Sequence, residues 1–337
     1  MDQLNALLDT LLARLAPTID AEPYVFARAA IVPPGVEPFA TVREPTGLTL
    51  VVAERAALAA GLAPLQRCRR IDPGVDTPLA GVGFLAAIAN ALAHKSIALN
   101  PIAAADRDHF FVADDDAEKA RRALEALARD ARTRLACAKD IDAVLAYWFG
   151  TMVDGFSDDA TRRRWFKATP EIDAEIARRF GPLIDAAHAG SLATWTATPR
   201  GALAFIVVTD QFSRQVHRGT ARAFASDPLA LAAARDCIAQ RFDLELPLDA
   251  RAFVYMPFMH SERSDDQRMS LRLFAALADA MPAHRSDESL DSAREHHDLI
   301  ERFGRFPHRN AVLGRVSTDA EVAYLQSATG FGQNVSR

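Results

Sequence analysis

The sequence predicts an α+β protein built from two domains, an α/β module at residues 1–132 and an all-helical domain at residues 140–330. Length is the first indication, because 337 residues exceed what a single hydrophobic core usually organises. The second is a change of pattern. Short β-like runs and turn residues occupy 23–114, whereas strand signals disappear from about Ile141 onward. We therefore place the boundary in the charged stretch 130–140.

Composition restricts the class of protein. A formal net charge of -5 with 25% charged residues is ordinary for a globular protein and gives no sign of a nucleic-acid partner. The amphipathic N-terminus carries early acidic residues, unlike a signal peptide, and apolar runs such as 203–208 are far shorter than the roughly 20 residues that cross a bilayer. Three widely spaced cysteines without a CxxC pair indicate reduced thiols. We expect a cytoplasmic protein without a membrane partner.

The N-terminal module is predicted to have a βαββα core, one strand short of a ferredoxin-like unit. Its helix is predicted to begin at Thr77 as N-cap, with Pro78 in the first turn. The core elements are a strand at 68–72, this helix, strands at 97–103 and 109–113, and a helix at 116–130. We expect the missing strand to come from an interlocking half-unit with strands near 23–28, 38–43 and 48–53 and a helix near 54–61.

The second domain carries helix start and stop signals at regular intervals, which predict eight to ten helices stacked as antiparallel pairs. Three N-caps precede a proline, at Thr169, Thr198 and Asp227. Glycines at 150 and 190 are placed to end helices. Two capping boxes are predicted, formed by Ser264 with Gln267 and by Thr318 with Glu321.

The first polar motif follows the apolar helix that begins at Pro199. Asp210, Arg214 and Arg218 recur at i, i+4 and i+8, so they share one helix face, with Gln211 beside them. Two arginines next to one acid leave surplus positive charge, which suits an anionic ligand. The alternative is an intrahelical Asp–Arg pair on a solvated face.

The second motif is the pair His260 and Glu262, where the apolar segment FVYMPFM ends. These polar groups again follow a core segment, so they are candidates for ligand contacts. The alternative is a buried histidine that donates to a backbone carbonyl, with Glu262 as a carboxylate before the next helix.

The third motif is the densest group of polar and aromatic residues in the chain. Its candidate ligand-binding residues are His297, Arg305, His308, Arg309, Asn310 and Arg315. An arginine fork grips a carboxylate or phosphate with two hydrogen bonds, and helix-end amides favour the same ligands. The alternative is a buried network in which the arginines pair with Asp210, Glu262 and Glu301 to fix helix packing.

Other kinds of site are not favoured. His260, His297, Glu262 and Asp210 lack an HExxH-type spacing, so we expect no metal site. The chain has no GxSxG elbow, P-loop or GxGxxG turn, and Cys237 lies in an ordinary amphipathic helix. The sequence identifies no cofactor.

Three segments closely resemble the bacterial helical family known as domain of unknown function 924, over about 140–325. They are DQFSRQVHRGTARAFASD, FVYMPFMHSE and HHDLIERFGRFPHRNAVLGRVST. The resemblance implies a TPR-like α–α superhelix of unassigned activity. The matching positions are Asp210, Gln211, Phe212, Arg214, Arg218, His260, Ser261, Glu262, His297, Arg305, His308, Arg309, Asn310 and Arg315. Ser213, Gln215 and His217 depart from the family pattern, although Gln215 keeps the amide of the usual asparagine.

The first 130 residues resemble a branch of the ACT domains, through YVF at 24–26, GLTL at 47–50 and DHFFV at 108–112. The resemblance implies a module that binds an amino acid near Asp76, Thr77 and Asn100, and a homodimer through this domain. The family's HSSLEAVGL loop reads DTPLAGVGF here, and Arg107 replaces the histidine before DH, which puts the usual ligand in question. A purely structural or dimerising unit is the alternative.

Three functional hypotheses follow. In the leading one, the ACT-like unit senses an amino acid and the helical domain binds an anion in an Arg/His pocket. In the second, the helical domain is an enzyme with His260 or His308 as general base and arginines that stabilise negative charge. In the third, the helical stack is a TPR-like scaffold that binds peptides. The pocket exists only if the three motifs, at 210–218, 260–262 and 297–315, meet in space, whereas a groove lined by exposed, alternating aromatic and Asn/Lys positions would favour the scaffold.

Overall fold

The computed structural model describes residues 2–78, 81–165, 169–282 and 289–326. The chain divides into two compact units, Met1–Cys137 and Ala138–Arg337, called here the N-terminal unit and the helical unit. The first contains a seven-stranded antiparallel sheet and the second is mainly helical. The prediction of an α+β protein is therefore confirmed.

The N-terminal unit contains all of the predicted strands and adds a helix and a short strand before them. Its elements are α1 (Asp2–Ala13), β1 (Thr18–Ile19), β2 (Tyr24–Ala29), β3 (Ala40–Glu44), β4 (Gly47–Ala53), α2 (Glu54–Ala59), β5 (Pro64–Asp72), α3 (Phe84–Ala93), β6 (Asn100–Ala103), β7 (Asp108–Ala113) and the start of α4 (Ala117–Phe149). The strand order is β3-β4-β2-β5-β7-β6, with β1 also on β5. Because β2 pairs with β5, the earlier strands complete the βαββα core as predicted.

Alternation along the strands gives the sheet two different faces. One face packs against α1, α3 and α4 through buried residues such as Leu12, Ile71 and Ile88. The other face is aromatic, with the rings of Tyr24 and Phe111 in edge contact at 5.6 Å. Burial on both faces fixes the register of the central strands.

Two predicted helix boundaries in this unit are wrong. The helix expected to begin at Thr77 begins at Phe84, after Gly83 in the left-handed conformation (φ 91°). Thr77 does not cap it, because its hydroxyl accepts a hydrogen bond from the Asp108 amide at 3.1 Å. The last helix does not end near 130. The stretch up to Phe149 contains no glycine or proline, and the helix stops only at Gly150, where φ is 61°.

The helical unit contains the end of α4 and then α5 (Asp159–Trp165), α6 (Pro170–His188), α7 (Pro199–Ile206), α8 (Ser213–Val216), α9 (Asp227–Ala239), α10 (Leu248–Met259), α11 (Ser264–Ala280), α12 (Ser289–Phe303) and α13 (Asp319–Leu325). A π-helical turn, Val207–Phe212, joins α7 to α8. In the described part of the chain, no helix is both long and apolar enough to cross a membrane.

Most of the predicted caps of this unit are correct. Thr169 and Thr198 accept hydrogen bonds from the amides of the first turns of α6 and α7. Thr318 and Glu321 form the predicted capping box of α13. The box predicted for α11 is wrong. Arg263 is the N-cap there, and the Gln267 amide donates instead to the carbonyls of Met259 and Ser261.

The helix that leads into the first polar motif is tightly fitted at its start. A Cβ atom added to Gly201 would lie 2.0 Å from the carbonyl oxygen of Trp195, which is backbone and cannot move aside easily. We therefore expect Gly201→Ala to lower the free energy of unfolding by about 2 kcal/mol, measured by urea denaturation. The neighbouring Arg200→Ala is the control, since Arg200 is 59% exposed. Equal stability of the two variants would contradict this packing.

Candidate functional site

The first polar motif begins on the π-helical turn Val207–Phe212, and its Arg214 lies on α8. Such turns insert one extra residue into a helix and are frequent at functional sites. The turn places Asp210 in the interior, where its side chain is fully buried. Phe212, at the end of the turn, anchors the segment because its ring stacks on Phe180 at 4.8 Å and packs against Trp148. Asp210 is thus held in a rigid setting.

Asp210 is the centre of a buried ionic group. Its Oδ1 accepts a hydrogen bond from His260 Nδ1 at 2.8 Å and lies 2.9 Å from Arg214 Nη1. Its Oδ2 accepts a hydrogen bond from Gln211 Nε2. Burial alone would raise the pKa of this carboxyl, but the Arg214 charge and His260 outweigh it and hold the pKa at about 2. Asp210 is therefore a carboxylate at neutral pH.

Asp227 is a second acid of this group and was not predicted as a site residue. Ser226 is the N-cap of α9, so the Asp227 side chain is not used as a cap. Asp227 Oδ1 lies 3.0 Å from Arg214 Nη1, and Oδ2 accepts a hydrogen bond from Arg309 Nη1 at 3.3 Å. The surplus of positive charge expected from Arg214 and Arg218 is therefore wrong, because Asp227 is a second carboxylate beside Arg214 and Arg218 pairs with Asp173.

Arg309 is the most enclosed cation of the group. It is 6% exposed, and its guanidinium lies 4.5 Å from the ring centres of both Phe224 and Phe306. Its Nη2 donates to the carbonyl of His260 at 3.0 Å. Burial lowers the pKa of Arg309 to about 10, so the side chain remains charged at neutral pH. Asp210, Arg214, Asp227, His260 and Arg309 are called here the Arg214–Arg309 cluster.

Polar atoms of the cluster remain unsatisfied. Among the described residues, Arg214 Nη2, Arg309 Nε and Asp227 Oδ1 are buried without a hydrogen-bond partner. The contact between Asp227 Oδ1 and Arg214 Nη1 is close enough for an ion pair but is not aligned as a hydrogen bond. A buried polar atom without a partner costs about 1–3 kcal/mol, so two such donors beside one acceptor call for an explanation.

Three histidines border or belong to the cluster and are held neutral. Burial, followed by the Arg214 charge, lowers the pKa of His260. Burial and the neighbouring His260 lower the pKa of His296 to about 3, and its Nδ1 donates to the carbonyl of Ser292 at 2.7 Å. Burial and the Arg309 charge lower the pKa of His308 to about 3. Neutral imidazoles add no positive charge to the cluster at neutral pH.

The second and third motifs are joined through Glu262. Its Oε1 accepts hydrogen bonds from the backbone amide of Phe306 at 2.9 Å and from Arg315 Nη1 at 2.8 Å. Burial raises the pKa of Glu262, but these donors outweigh burial and the net pKa is lowered. The contacts hold the connection after α12 against the end of α10. All three motifs therefore meet in space.

Several predicted residues of the helical domain take partners outside the cluster. Arg218 donates to Asp173 at 2.8 Å, and Arg305 donates to Glu321 at 2.7 Å within the cap of α13. Asn310 Nδ2 donates to Ser317 Oγ at 3.0 Å.

His297 lies 3.7 Å from the exposed Asp298, whereas its neighbour His296 is buried with its ring 6.1 Å from that of His260. The alternative of a paired network thus accounts for many of the ionic contacts, although Glu301 is exposed and takes no part in it.

The residues predicted in the N-terminal unit are only partly brought together. Asp76 pairs with Arg107 Nη2 at 2.6 Å, and Arg107 also contacts Asp72. Thr77 is held by the start of β7, as described above. Asn100 lies on the edge strand β6, opposite Phe111. Within the described ranges, no hydrogen bond joins Asn100 to Asp76 or Thr77.

No group of three or more histidine, cysteine, aspartate or glutamate side chains is arranged to hold a metal ion among the residues that the structure describes. Asp210 and His260 are in contact, but the other groups on the Asp210 carboxylate are the Gln211 amide and the Arg214 guanidinium, which are both donors. The chemistry of the cluster therefore suits an anion better than a cation.

Comparison with protein families supports the assignment of both parts. The model described as bacterial protein of unknown function (DUF924) matches residues 144–329, more than half of the chain. Two models described as ACT domains match residues 6–69 and 68–126. These matches confirm both resemblances inferred from the sequence. No curated protein matches the chain.

Two solved structures are similar to parts of the chain. A protein of unknown function from Agrobacterium tumefaciens is 32% identical, with a TM-score of 0.50, over 57% of this chain and 99% of its own. A Vibrio cholerae protein of unknown function, described as a possible transport protein, is 37% identical, with a TM-score of 0.33, over 36% of this chain and 95% of its own.

Proposed function

This chain belongs to the bacterial protein family of unknown function DUF924 and carries two ACT-type domains before it, and we propose that it is a regulatory protein that binds small molecules. The helical unit binds a small carboxylate or phosphate at the Arg214–Arg309 cluster. The N-terminal unit binds an amino acid. The helical unit is a TPR-like stack, an arrangement supported by the packing of α10 on α11 and of α11 on α12.

The observation that carries the anion site is the pair of buried, unpartnered donors, Arg214 Nη2 and Arg309 Nε. Folding removes these N–H groups from water, and no atom of the described residues accepts a hydrogen bond from them. A bound carboxylate or phosphate oxygen supplies that acceptor, and charge-assisted hydrogen bonds of this kind are about twice as strong as neutral ones. Their desolvation cost is then recovered on binding rather than on folding.

Asp227 sets the affinity of this site, because it bridges the two guanidinium groups as a ligand carboxylate would. With Asp227 in place the formal charges of the cluster sum to zero, so an entering anion meets no net attraction. Asp227 Oδ1 is ion-paired with Arg214 but accepts no hydrogen bond among the described residues, which favours a ligand that carries a hydrogen-bond donor beside its anionic group.

Amino-acid binding in the N-terminal unit is supported by its ACT-type domains, a class that commonly binds such ligands. We assign the ligand to the surroundings of Asp76, Thr77 and Asn100. Arg107, held by Asp72 and Asp76, is the cation of that loop and suits an α-carboxylate. Calorimetric titration with each common amino acid tests this part, and an absence of binding heat for all of them contradicts it.

Thermal unfolding in the presence of phosphate and of succinate tests the anion site. Ligand that binds only the folded state stabilises it by about 2.7 kcal/mol at a concentration 100 times Kd. We expect Arg309→Met to abolish this stabilisation. Asp227→Asn is expected to increase anion affinity about tenfold or more, because the cluster then carries a net positive charge.

Arg200→Met is the matched control, because Arg200 is exposed and pairs with Asp142 away from the cluster. It should respond to phosphate and succinate like the unaltered protein. Identical ligand-induced shifts in Arg309→Met and Arg200→Met would refute the site. So would a weaker response in Asp227→Asn than in the unaltered protein.

A further inference from the structure

Asp210 and His260 form a carboxylate–imidazole pair that the binding proposal does not use. The buried carboxylate accepts the Nδ1–H of His260 at 2.8 Å, which fixes the imidazole in one tautomer. The lone pair is therefore on Nε2. Enzymes prepare a general base by this arrangement, in which a carboxylate orients a histidine.

The Nε2 atom of His260 is available for chemistry. Nε2 forms no hydrogen bond with the described residues, and it is not fully buried. Of the whole His260 side chain, 16% is exposed. His308, the other histidine considered as a base, has its ring packed 5.6 Å from the Phe306 ring. The geometry favours His260.

The surroundings of His260 supply charge stabilisation. Arg309 donates to the His260 carbonyl, and Arg214 Nη1 lies 2.9 Å from Asp210 Oδ1, the same oxygen that accepts the His260 Nδ1–H. Their unpartnered N–H groups are fixed donors in a water-poor setting, which is where such donors stabilise developing negative charge best.

We propose that the Arg214–Arg309 cluster is a hydrolytic site in which His260 is the general base for esters that carry a second carboxylate. This inference rests on the proposed function, because the arginines have to hold the free carboxylate. His260 Nε2 takes a proton from water as the water oxygen bonds to the ester carbonyl carbon. The carbon–oxygen bond to the alcohol then breaks, and the proton passes from His260 to the leaving oxygen. The products are the dicarboxylate and the alcohol.

Monomethyl succinate is the probe, with hydrolysis followed as acid release at constant pH. We expect hydrolysis above the buffer rate, a rate at least about 100-fold lower in His260→Asn, and slower hydrolysis of the neutral ester methyl propionate. His297→Asn is the matched control and should leave the rate unchanged, because His297 lies outside the cluster. Hydrolysis that persists in His260→Asn overturns the inference.

A second measurement covers the case in which His260→Asn does not fold. Diethyl pyrocarbonate acylates accessible neutral imidazole, so His260 of the unaltered protein should be modified, and succinate should slow its modification. Absence of modification overturns the general base. If succinate still stabilises the protein but monomethyl succinate is not hydrolysed, this inference fails and the anion site stands. If succinate neither stabilises nor protects, both fail.

Asp210 is a positioning residue in this scheme. The groups that face His260 are Asp210 and Arg214 on the helix of α7 and α8, Asp227 on α9, His296 on α12, and His308 and Arg309 on the turn at 307–309. Asp210→Asn removes a group that raises the pKa of His260. In this variant the acidic limb of the pH–rate profile should therefore move to lower pH, and the rate itself should fall. An unmoved limb means that Asp210 does not orient the base.

Discussion

Between pH 7 and pH 4 the helical unit is expected to lose about 6 kcal/mol of its free energy of unfolding. The cause is the burial of His296 and His308, which lowers their pKa from 6.5 to about 3. In the unfolded chain both imidazoles bind protons below about pH 6.5, whereas in the folded protein they do so only near pH 3. The contribution of these two histidines to the free energy of unfolding is therefore complete above pH 6.5, and it is lost as the pH decreases towards 3.

Urea denaturation at several pH values, followed by tryptophan fluorescence, measures this loss. All three tryptophans, Trp148, Trp165 and Trp195, lie in the helical unit, so the signal reports that unit. His296→Gln keeps an N–H donor but removes one titrating group, and should reduce the slope by about 1 kcal/mol per pH unit.

His297→Gln is the matched control, because the next residue of the same helix faces Asp298 near the surface. Its slope is the baseline against which the slope of His296→Gln is judged. An unchanged slope in His296→Gln would mean that His296 is not held neutral in the folded state.

Much of the fold was predictable because the signals that specify it are local. Thr169 and Thr198 cap helices through hydroxyl groups that bond within the same turn, and Gly150 stops a helix by its own φ. Thr77 carries the same local signal as those two threonines. Its hydroxyl is used by Asp108, which is 31 residues away, and no local pattern records such a contact.

The sequence indicated which residues belong to the cluster better than it indicated which partners they contact. The sequence places Asp210, His260 and Arg309 in three separate polar motifs, and the structure brings these residues together. Asp227 was missed because its position before Pro228 reads as an N-cap, and the neighbouring Ser226 takes that role.

The third motif also shows the limit of helix periodicity. His296 and His297 are adjacent, and successive residues of an α-helix point in directions about 100° apart. Only the packing of α12 decides which of the two is buried, and it buries His296. Arg218 and Arg305 lie in the same polar motifs as residues of the cluster. Each pairs instead with an acid outside the cluster, Asp173 and Glu321 respectively.

The largest effect of a single substitution is expected at Asp210. Asp210→Asn leaves Arg214 and Arg309 with only Asp227 as a carboxylate partner, so one buried positive charge is not neutralised. Breaking a buried ion pair in this way costs about 3–5 kcal/mol. Asp142→Asn is the control, because that acid also pairs with an arginine, Arg200, but at the surface, where a pair contributes about 0–1 kcal/mol.

Replacing both members of the pair separates a structural role from a binding role. In Asp210→Asn with Arg214→Met, the remaining Arg309 and Asp227 balance each other, so more than half of the lost stability should return. The same double variant lacks the Arg214 donor and should no longer be stabilised by succinate. If it regains stability and still responds to succinate like the unaltered protein, Arg214 is a structural cation and the ligand lies elsewhere. If it regains stability and loses the response to succinate, the Asp210–Arg214 ion pair serves ligand binding rather than stability.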